Sequence, residues 1–195
     1  MLTTIAVFAP LVGAVLSGLF RPLLGKQLSI ASSILFMGLS AAAGVMDFAQ
    51  AVQGGATLPP LHIATWISVG SFTPDWTLRQ DMLSLVMVGM VSFVSALIHV
   101  YSAGYMAHDK GYGRFFSYLN LFCFAMLVLV LADNLLLMFV GWEGVGLCSY
   151  LLIGFWFDHK PNAVAGMKAF IVNRIGDFGF LIGLMILLWG FYAVG

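Results

Sequence analysis

The chain is a succession of apolar runs of about twenty residues, joined by short polar segments. A bilayer's hydrocarbon core is about 30 Å thick, and about 20 helical residues cross it. Six stretches meet that length, approximately 2–20, 28–48, 82–102, 115–132, 134–157 and 164–193. A backbone inside lipid must satisfy its own hydrogen bonds, so each stretch is expected to be a helix. Composition agrees. Of 195 residues, 62% are hydrophobic and 8% charged, against about 25% charged in soluble domains. A soluble fold could not hide that much apolar surface. The expected fold class is an all-α polytopic membrane protein with about six transmembrane helices.

The breaks between runs have chemical causes. Arg21-Pro22 and Lys26 close the first run, and Gly54-Gly55 with Pro59-Pro60 open a long loop. His108, Asp109, Lys110 and Arg114 separate the third and fourth runs. Asp133-Asn134 reads as a tight turn whose residues cap the fifth helix. Asp158 to Asn162 separates the last two, with Pro161 suited to a helix start. The start of the chain has no basic segment and no A-x-A site, so it reads as a first span and not as a cleaved signal. Loop 49–81 carries apolar alternation from Trp66 to Phe72, then Pro74-Asp75 and Trp76-Thr77-Leu78. That pattern fits a small hairpin, and its aromatics also fit interfacial anchors.

Lys and Arg fall unevenly about these spans. Arg21, Lys26, Lys110, Arg114, Lys160 and Lys168 lie on one side and Arg79 on the other. The positive-inside rule then places the N-terminus outside. Formal net charge is zero, which gives nucleic acid no electrostatic footing. Cys123 and Cys148 both lie in apolar runs and form no C-x-x-C pair, so no metal or iron–sulfur site is expected. No Ser–His–Asp set or Walker loop appears, and no bond-breaking chemistry is expected of the chain.

Ionisable residues inside the spans are the candidates for function. Glu143 lies ten residues after Asp133, roughly 15 Å deep. A charge there costs about 2.5–3.5 kcal/mol on insertion scales, and such residues usually mark ion or proton paths. The alternative is a protonated Glu143 bonded locally, to Ser149 or a backbone carbonyl. Asp177 sits near mid-span in the sixth run, with Arg174 three residues earlier on the same helix face. This pair reads either as part of a relay or as a static link. Lys168 either forms the inner mouth of a path or snorkels to the interface. His99 can shuttle protons, although a lone His in an apolar helix is more often a packing residue. Gly144-Val145-Gly146 lacks the preceding strand of a nucleotide-binding loop; small residues there let a helix or water approach Glu143. Gly179-x-x-x-Gly183 permits close helix contact without naming a partner.

The segment from Gly141-Trp142-Glu143-Gly144 through Val145-Gly146-Leu147-Cys148-Ser149 to Gly154 resembles the fifth-helix motif of the largest antiporter-like membrane subunits of respiratory complex I, the proton-pumping NADH–quinone oxidoreductases. Lys168-Ala169-Phe170-Ile171-Val172-Asn173-Arg174-Ile175-Gly176-Asp177 is similar to the sixth-helix motif of that family. His99-Val100-Tyr101-Ser102, Tyr105-Met106, Arg114-Phe115-Phe116 and Ala132-Asp133-Asn134 are similar to its third-to-fifth-helix region. The resemblance runs from about Trp66 onward; the first 60 residues match mainly by hydropathy.

The resemblance implies an inverted-repeat fold whose first repeat starts at the fourth helix. It divides the chain into an N-terminal three-helix region, 1–114, and the first three helices of a repeat, 115–195. It implies that Glu143 pairs with a lysine on a seventh helix and that Asp177 matches the family's sixth-helix aspartate; with Arg174 and Lys168, read from their own positions, these make up the candidate proton relay. His99 is a weaker candidate. NADH, FMN, iron–sulfur clusters and quinone are expected in other subunits, with no cofactor in this chain. The expected partners are other membrane subunits, especially a sibling antiporter-like one, and the lipid of a bacterial plasma membrane or mitochondrial inner membrane. The chain is shorter than family members, and the expectation is a fragment that lacks the seventh-helix lysine. A subunit of a multisubunit cation/proton antiporter and a purely architectural subunit are the alternatives.

Overall fold

A computed structural model describes residues 1–54, 58–68, 70 and 72–194, with side chains to 191. Its elements in chain order are α1 (Leu2–Gly18), α2 (Arg21–Gly54), β1 (Leu61–Ala64), β2 (Trp76–Leu78), α3 (Met82–Tyr105), α4 (Tyr112–Leu131), α5 (Leu135–Ile153) and α6 (Lys160–Val194). The helices α2 to α6 are long and apolar enough to cross a membrane; α1 is a shorter apolar helix of 17 residues. Helical contacts divide the chain into two compact units, Met1–Val145 and Gly146–Gly195.

The first unit is built inside out relative to a soluble bundle. On α2 the buried positions include Ser29, Ser33, Ser40 and Asp47, while Leu28, Leu35, Leu39 and Met46 are exposed. On α3, Ser84, Ser92, His99 and Ser102 are buried, while Leu83, Met90, Phe93 and Leu97 are exposed. These polar positions recur at three- or four-residue steps or multiples of them, which is one face of a helix. Lipid rewards apolar surface outside, and polar groups then find partners within the bundle. An apolar core remains around Ala6, Val7, Ala43, Val88, Leu127, Val128, Leu131 and Leu137.

Local chemistry sets the boundaries. Arg21-Pro22 opens α2 instead of closing the first run, because proline suits a first helical turn. Gly25, at φ 70°, then interrupts α2 with a left-handed turn that favours glycine. Pro10 inside α1 has no N–H for the carbonyl of Ala6. The Ser40 hydroxyl donates to that carbonyl at 2.5 Å, tying α2 to α1. Asp81 caps α3, accepting from the Ser84 hydroxyl at 2.7 Å and the Ser84 N–H at 2.8 Å. Asn134 caps α5, accepting from the Leu137 N–H at 2.8 Å; the expected capping role of Asp133-Asn134 thus falls on Asn134.

The loop before α3 contains the expected hairpin, but its first strand lies earlier than the 66–72 pattern indicates. β1 pairs antiparallel with β2, Leu61 opposite Leu78 and His62 opposite Thr77. Within 66–72, Val69 and Ser71 lie outside the described residues. The hairpin's position follows from what β2 must satisfy. The Arg79 N–H donates to the Leu131 carbonyl at 2.7 Å, and the Asp133 N–H donates to Thr77 at 3.1 Å. The Asn134 side chain donates to the Asp75 carbonyl at 2.8 Å. The strand therefore supplies partners to the backbone of the α4–α5 turn, where the helices leave groups unpaired.

At the opposite end of the unit, Arg21 donates to the Lys110 carbonyl at 3.1 Å and Lys26 to the Ala107 carbonyl. Both cations also lie over the Tyr112 ring, at 4.9 and 5.4 Å. The α1–α2 and α3–α4 joints thus share one basic end.

In the second unit, α6 meets the end of α5 through small residues. A Cβ on Gly166 would lie 3.3 Å from both the Gly154 nitrogen and the Tyr150 carbonyl oxygen. The Tyr150 and Phe170 rings pack alongside, with centroids 5.2 Å apart.

Candidate functional site

Glu143 owes its setting to the glycines on either side of it. A Cβ on Gly141 would stand 2.6 Å from the Leu129 nitrogen and 2.7 Å from its Cα. One on Gly144 would stand 2.8 Å from the Ala125 Cβ. Backbone therefore meets backbone where α5 crosses α4. Leu137, Gly141, Gly144 and Cys148 form one stripe of α5, and Leu137 and Cys148 are fully buried. At 3.6 residues per turn, Glu143 lies about 130° round the helix from that stripe. It faces away from the α4 contact and is half-buried. Its position is eight residues into the 19 of α5, about 12 Å from the helix start. This keeps the expected mid-span placement. The glycines let the helices approach, as expected, but their close approach is on the face away from the carboxylate.

Asp177 and Arg174 are brought together on α6. Arg174 Nη1 lies 3.9 Å from Asp177 Oδ2; the aspartate side chain is 7% exposed and the arginine 39%. The guanidinium also covers the Phe170 ring at 4.5 Å. Asp177 falls at the midpoint of the 35-residue α6. At 3.9 Å these two atoms make a charge–charge contact and not a hydrogen bond. Lys168, on the same helix, is exposed.

His99 is fully buried on α3. Its Nδ1 lies 2.7 Å from the Ser95 carbonyl, which fixes the proton on that nitrogen. The ring packs against Phe116, with centroids 6.1 Å apart. Among the described residues its Nε2 has no protein partner. Both the packing reading and the protic reading therefore have a physical basis.

Two polar features went unread in the sequence. Asp47 is buried near the end of α2. The Thr3 hydroxyl lies 2.7 Å from Asp47 Oδ2 and 2.8 Å from Gln80 Oε1, and the Gln80 amide donates to Pro59 at 3.1 Å. Asn120, fully buried on α4, donates to Ser33 and to the Phe116 carbonyl. The available signal was helical spacing: Ser29, Ser33, Ser40 and Asp47 stand one or two turns apart. Among the described residues, no group of three or more His, Cys, Asp or Glu could hold a metal ion.

Helices long and apolar enough to cross a membrane, packed around buried polar groups and carrying a carboxylate at mid-helix, define a polytopic membrane bundle. Solved structures share the fold. The chain aligns with a subunit of an archaeal respiratory membrane complex, the membrane-bound sulfane sulfur reductase, at a TM-score of 0.80 and 16% identity, covering 93% of this chain and 36% of that one. It aligns with the Mrp complex from Dietzia sp. DQ12-45-1b at a TM-score of 0.75 and 22% identity, covering 97% of this chain and 20% of that one.

Residues 66–116 match the N-terminal family of NADH-ubiquinone oxidoreductase (complex I) chain 5, and residues 132–192 match the transmembrane family of NADH:quinone oxidoreductase and Mrp antiporters. The chain accordingly belongs to the complex I chain 5 group of antiporter-like membrane proteins. It is 45% identical over 184 residues to NADH-quinone oxidoreductase subunit L of Rickettsia typhi, covering 94% of this chain and 28% of that protein. It is 44% identical over 183 residues to the Escherichia coli subunit L, covering 94% and 30%. The Arabidopsis thaliana NADH-ubiquinone oxidoreductase chain 5 is 43% identical over 179 residues, covering 92% and 27%. The chain thus spans under a third of the length of these relatives, and the alignments reach well into its first 60 residues.

Proposed function

We propose that this chain is part of a proton-translocating membrane-arm subunit of an NADH–quinone oxidoreductase, with Glu143 as the central relay group. The carrying observation is the position of Glu143: mid-helix, half-buried, and turned away from the face that Gly141 and Gly144 pack on α4. A carboxylate held there is costly unless a polar partner or a proton offsets it. A group balanced between desolvation and a nearby cation changes its protonation when the cation moves. That is the property a relay requires. Relatives carry names of NADH–quinone oxidoreductase subunits, which supports this setting over others.

Arg174 and Asp177 form a second electrostatic unit in this reading, and Lys168 stands nearer the mouth of the path. NADH, FMN, iron–sulfur clusters and quinone belong to other subunits, and electron transfer among them drives the protons. The partners are neighbouring membrane subunits, a sibling antiporter-like one above all, and the lipid of a bacterial plasma or mitochondrial inner membrane. The basic end formed by Arg21, Lys26 and Lys110 faces the cytoplasm or matrix. The N-terminus and the hairpin then face the periplasm or intermembrane space. Glu143→Gln should lower proton pumping in the assembled complex without preventing assembly. Unchanged pumping in a fully assembled complex would refute the role.

The match of residues 132–192 to a family that includes Mrp antiporters favours a second reading, a subunit of a multisubunit cation/proton antiporter. Co-purification with flavin and iron–sulfur subunits would exclude it. A Na⁺-driven pH change in vesicles without an electron donor would support it. Proton uptake unaffected by loss of both Glu143 and Asp177 carboxylates would instead point to an architectural subunit.

A further inference from the structure

At the hairpin end of the first unit, four segments meet in one hydrogen-bonded chain. Asp47 lies on α2, two turns or about 10 Å before that helix ends at Gly54. Thr3 lies in the first turn of α1, and Gln80 lies between β2 and α3. Thr3, Asp47 and Gln80 are 1%, 3% and 8% exposed. Thr3 Oγ1 stands 2.7 Å from Asp47 Oδ2 and 2.8 Å from Gln80 Oε1. Gln80 Nε2 stands 3.1 Å from the Pro59 carbonyl oxygen, in the loop before β1.

Counting protons along this chain shows that one is missing if Asp47 is ionised. The Pro59 carbonyl can only accept, so the Gln80 amide must turn Nε2 to it. Turned the other way, two carbonyl oxygens would face each other at 3.1 Å. Gln80 Oε1 is therefore the atom facing Thr3, and it too can only accept. The Thr3 hydroxyl has one proton to give. If Thr3 gives it to an Asp47 carboxylate, then two bare oxygens meet at 2.8 Å on the Gln80 side. A proton on Asp47 Oδ2 satisfies every contact: Asp47 donates to Thr3, Thr3 to Gln80, and Gln80 to Pro59. Among the described residues, Thr3 is also the one hydrogen-bond partner of Asp47. A single neutral hydroxyl is poor compensation for a buried negative charge, and such a group neutralises instead. Charged or titratable groups on the elements around this end of α2 are the Met1 ammonium ahead of α1, Arg79 and Asp81 at the head of α3, and Asp133 after α4. Arg79 and Asp81 pair with each other at 3.2 Å. Among the described residues none forms an ion pair with Asp47.

We propose that Asp47 is a proton-binding site of the first unit, a neutral carboxylic acid whose O–H begins the chain Asp47–Thr3–Gln80–Pro59. The bound proton ties the end of α2 to the start of α1, and through Gln80 to the entry of α3 and the loop before the hairpin. Loss of the proton leaves two acceptors around one hydroxyl and breaks one of these ties. This site is separate from Glu143 and does not depend on the function proposed for that residue.

The test compares Asp47→Asn with the unsubstituted protein in the complete membrane assembly, by the rate of thermal inactivation from mildly acid to alkaline pH. An asparagine amide donates to Thr3 as the acid does, and it has no proton to lose. A proton held in the folded chain and released on unfolding makes a contribution that is complete below the ordinary carboxylate range and is lost as pH rises, by up to about tenfold in the folding equilibrium per pH unit. The inactivation rate of the unsubstituted assembly, divided by that of Asp47→Asn, should therefore rise with pH. Asp47→Ser, a smaller neutral donor, should show the same direction of change. A ratio that falls as pH rises would mark Asp47 as an ionised group stabilised by its partners and overturn the proposal, and so would a flat ratio. Failure of both neutral variants to assemble would overturn it as well, because the assembly would then need the charge.

Discussion

Replacing Gly141 by alanine probes the contact that positions Glu143. The new Cβ would lie 2.6 Å and 2.7 Å from the Leu129 nitrogen and Cα, whereas atoms pack comfortably at about 3.5–4.0 Å. Roughly 0.9 Å or more must be recovered. The obstacle is backbone, so no rotamer change relieves it, and α4 and α5 must move apart. Separation also loosens the Gly144–Ala125 approach. Overpacking of this kind costs about 1–3 kcal/mol, and a backbone obstacle belongs at the upper end. Alanine's helix propensity returns about 1 kcal/mol, leaving a net loss of about 2 kcal/mol. Gly146→Ala is the matched control, since a Cβ there meets nothing within 4 Å. Thermal inactivation of the purified complex should accelerate in Gly141→Ala and stay level or slow in Gly146→Ala. Large complexes unfold irreversibly, so the inactivation rate is the proper readout. Equal behaviour of the two variants would refute the close-approach argument.

Other perturbations address the remaining parts. Asp177→Asn removes a carboxylate held 3.9 Å from Arg174; pumping should fall less than in Glu143→Gln, and failure to assemble would mark the pair as structural instead. The Ser84 hydroxyl and then the Ser84 N–H, with Arg79 nearby, hold the Asp81 carboxyl below the usual carboxylate range. Its folded-state pKa is depressed, so its contribution is complete above the ordinary carboxylate pKa and is lost as pH falls through the lower folded value. Asp81→Asn should therefore flatten the acid limb of the stability profile while keeping the cap; an unchanged limb would contradict this. His62 is exposed on β1, and His62→Cys should react with a membrane-impermeant thiol reagent from the periplasmic or intermembrane side. Labelling only from the opposite face would invert the assigned topology.

Most of the architecture was legible because membrane helices are written in long apolar runs. The stretch 82–102 falls inside α3, and 115–132 overlaps α4 with its ends displaced by three residues or fewer. Boundaries at special residues were harder. Arg21-Pro22 looked like an ending because charge and proline interrupt apolar runs, yet proline equally suits a first helical turn. The hairpin was visible as a tendency, but its register depends on the α4–α5 turn, which lies more than 50 residues downstream. Glu143, Arg174 and Asp177 were found because a charge in an apolar run stands out. Asp47, Asn120 and the buried serines were passed over because single polar residues are unremarkable in helices. Only their shared face, which packing reveals, makes them a feature. The orientation of Glu143 away from α4 was implicit in the spacing of Gly141 and Gly144. It became readable once those glycines were seen against Leu129 and Ala125.

The most direct test of the central claim is the number of protons pumped per electron in vesicles containing the complete complex with Glu143→Gln. Normalising to electrons separates a relay defect from slower electron transfer, and matched subunit content excludes an assembly defect. A ratio clearly below that of the unsubstituted complex is expected, with NADH oxidation retained. An unchanged ratio in a fully assembled complex would contradict the role given to Glu143.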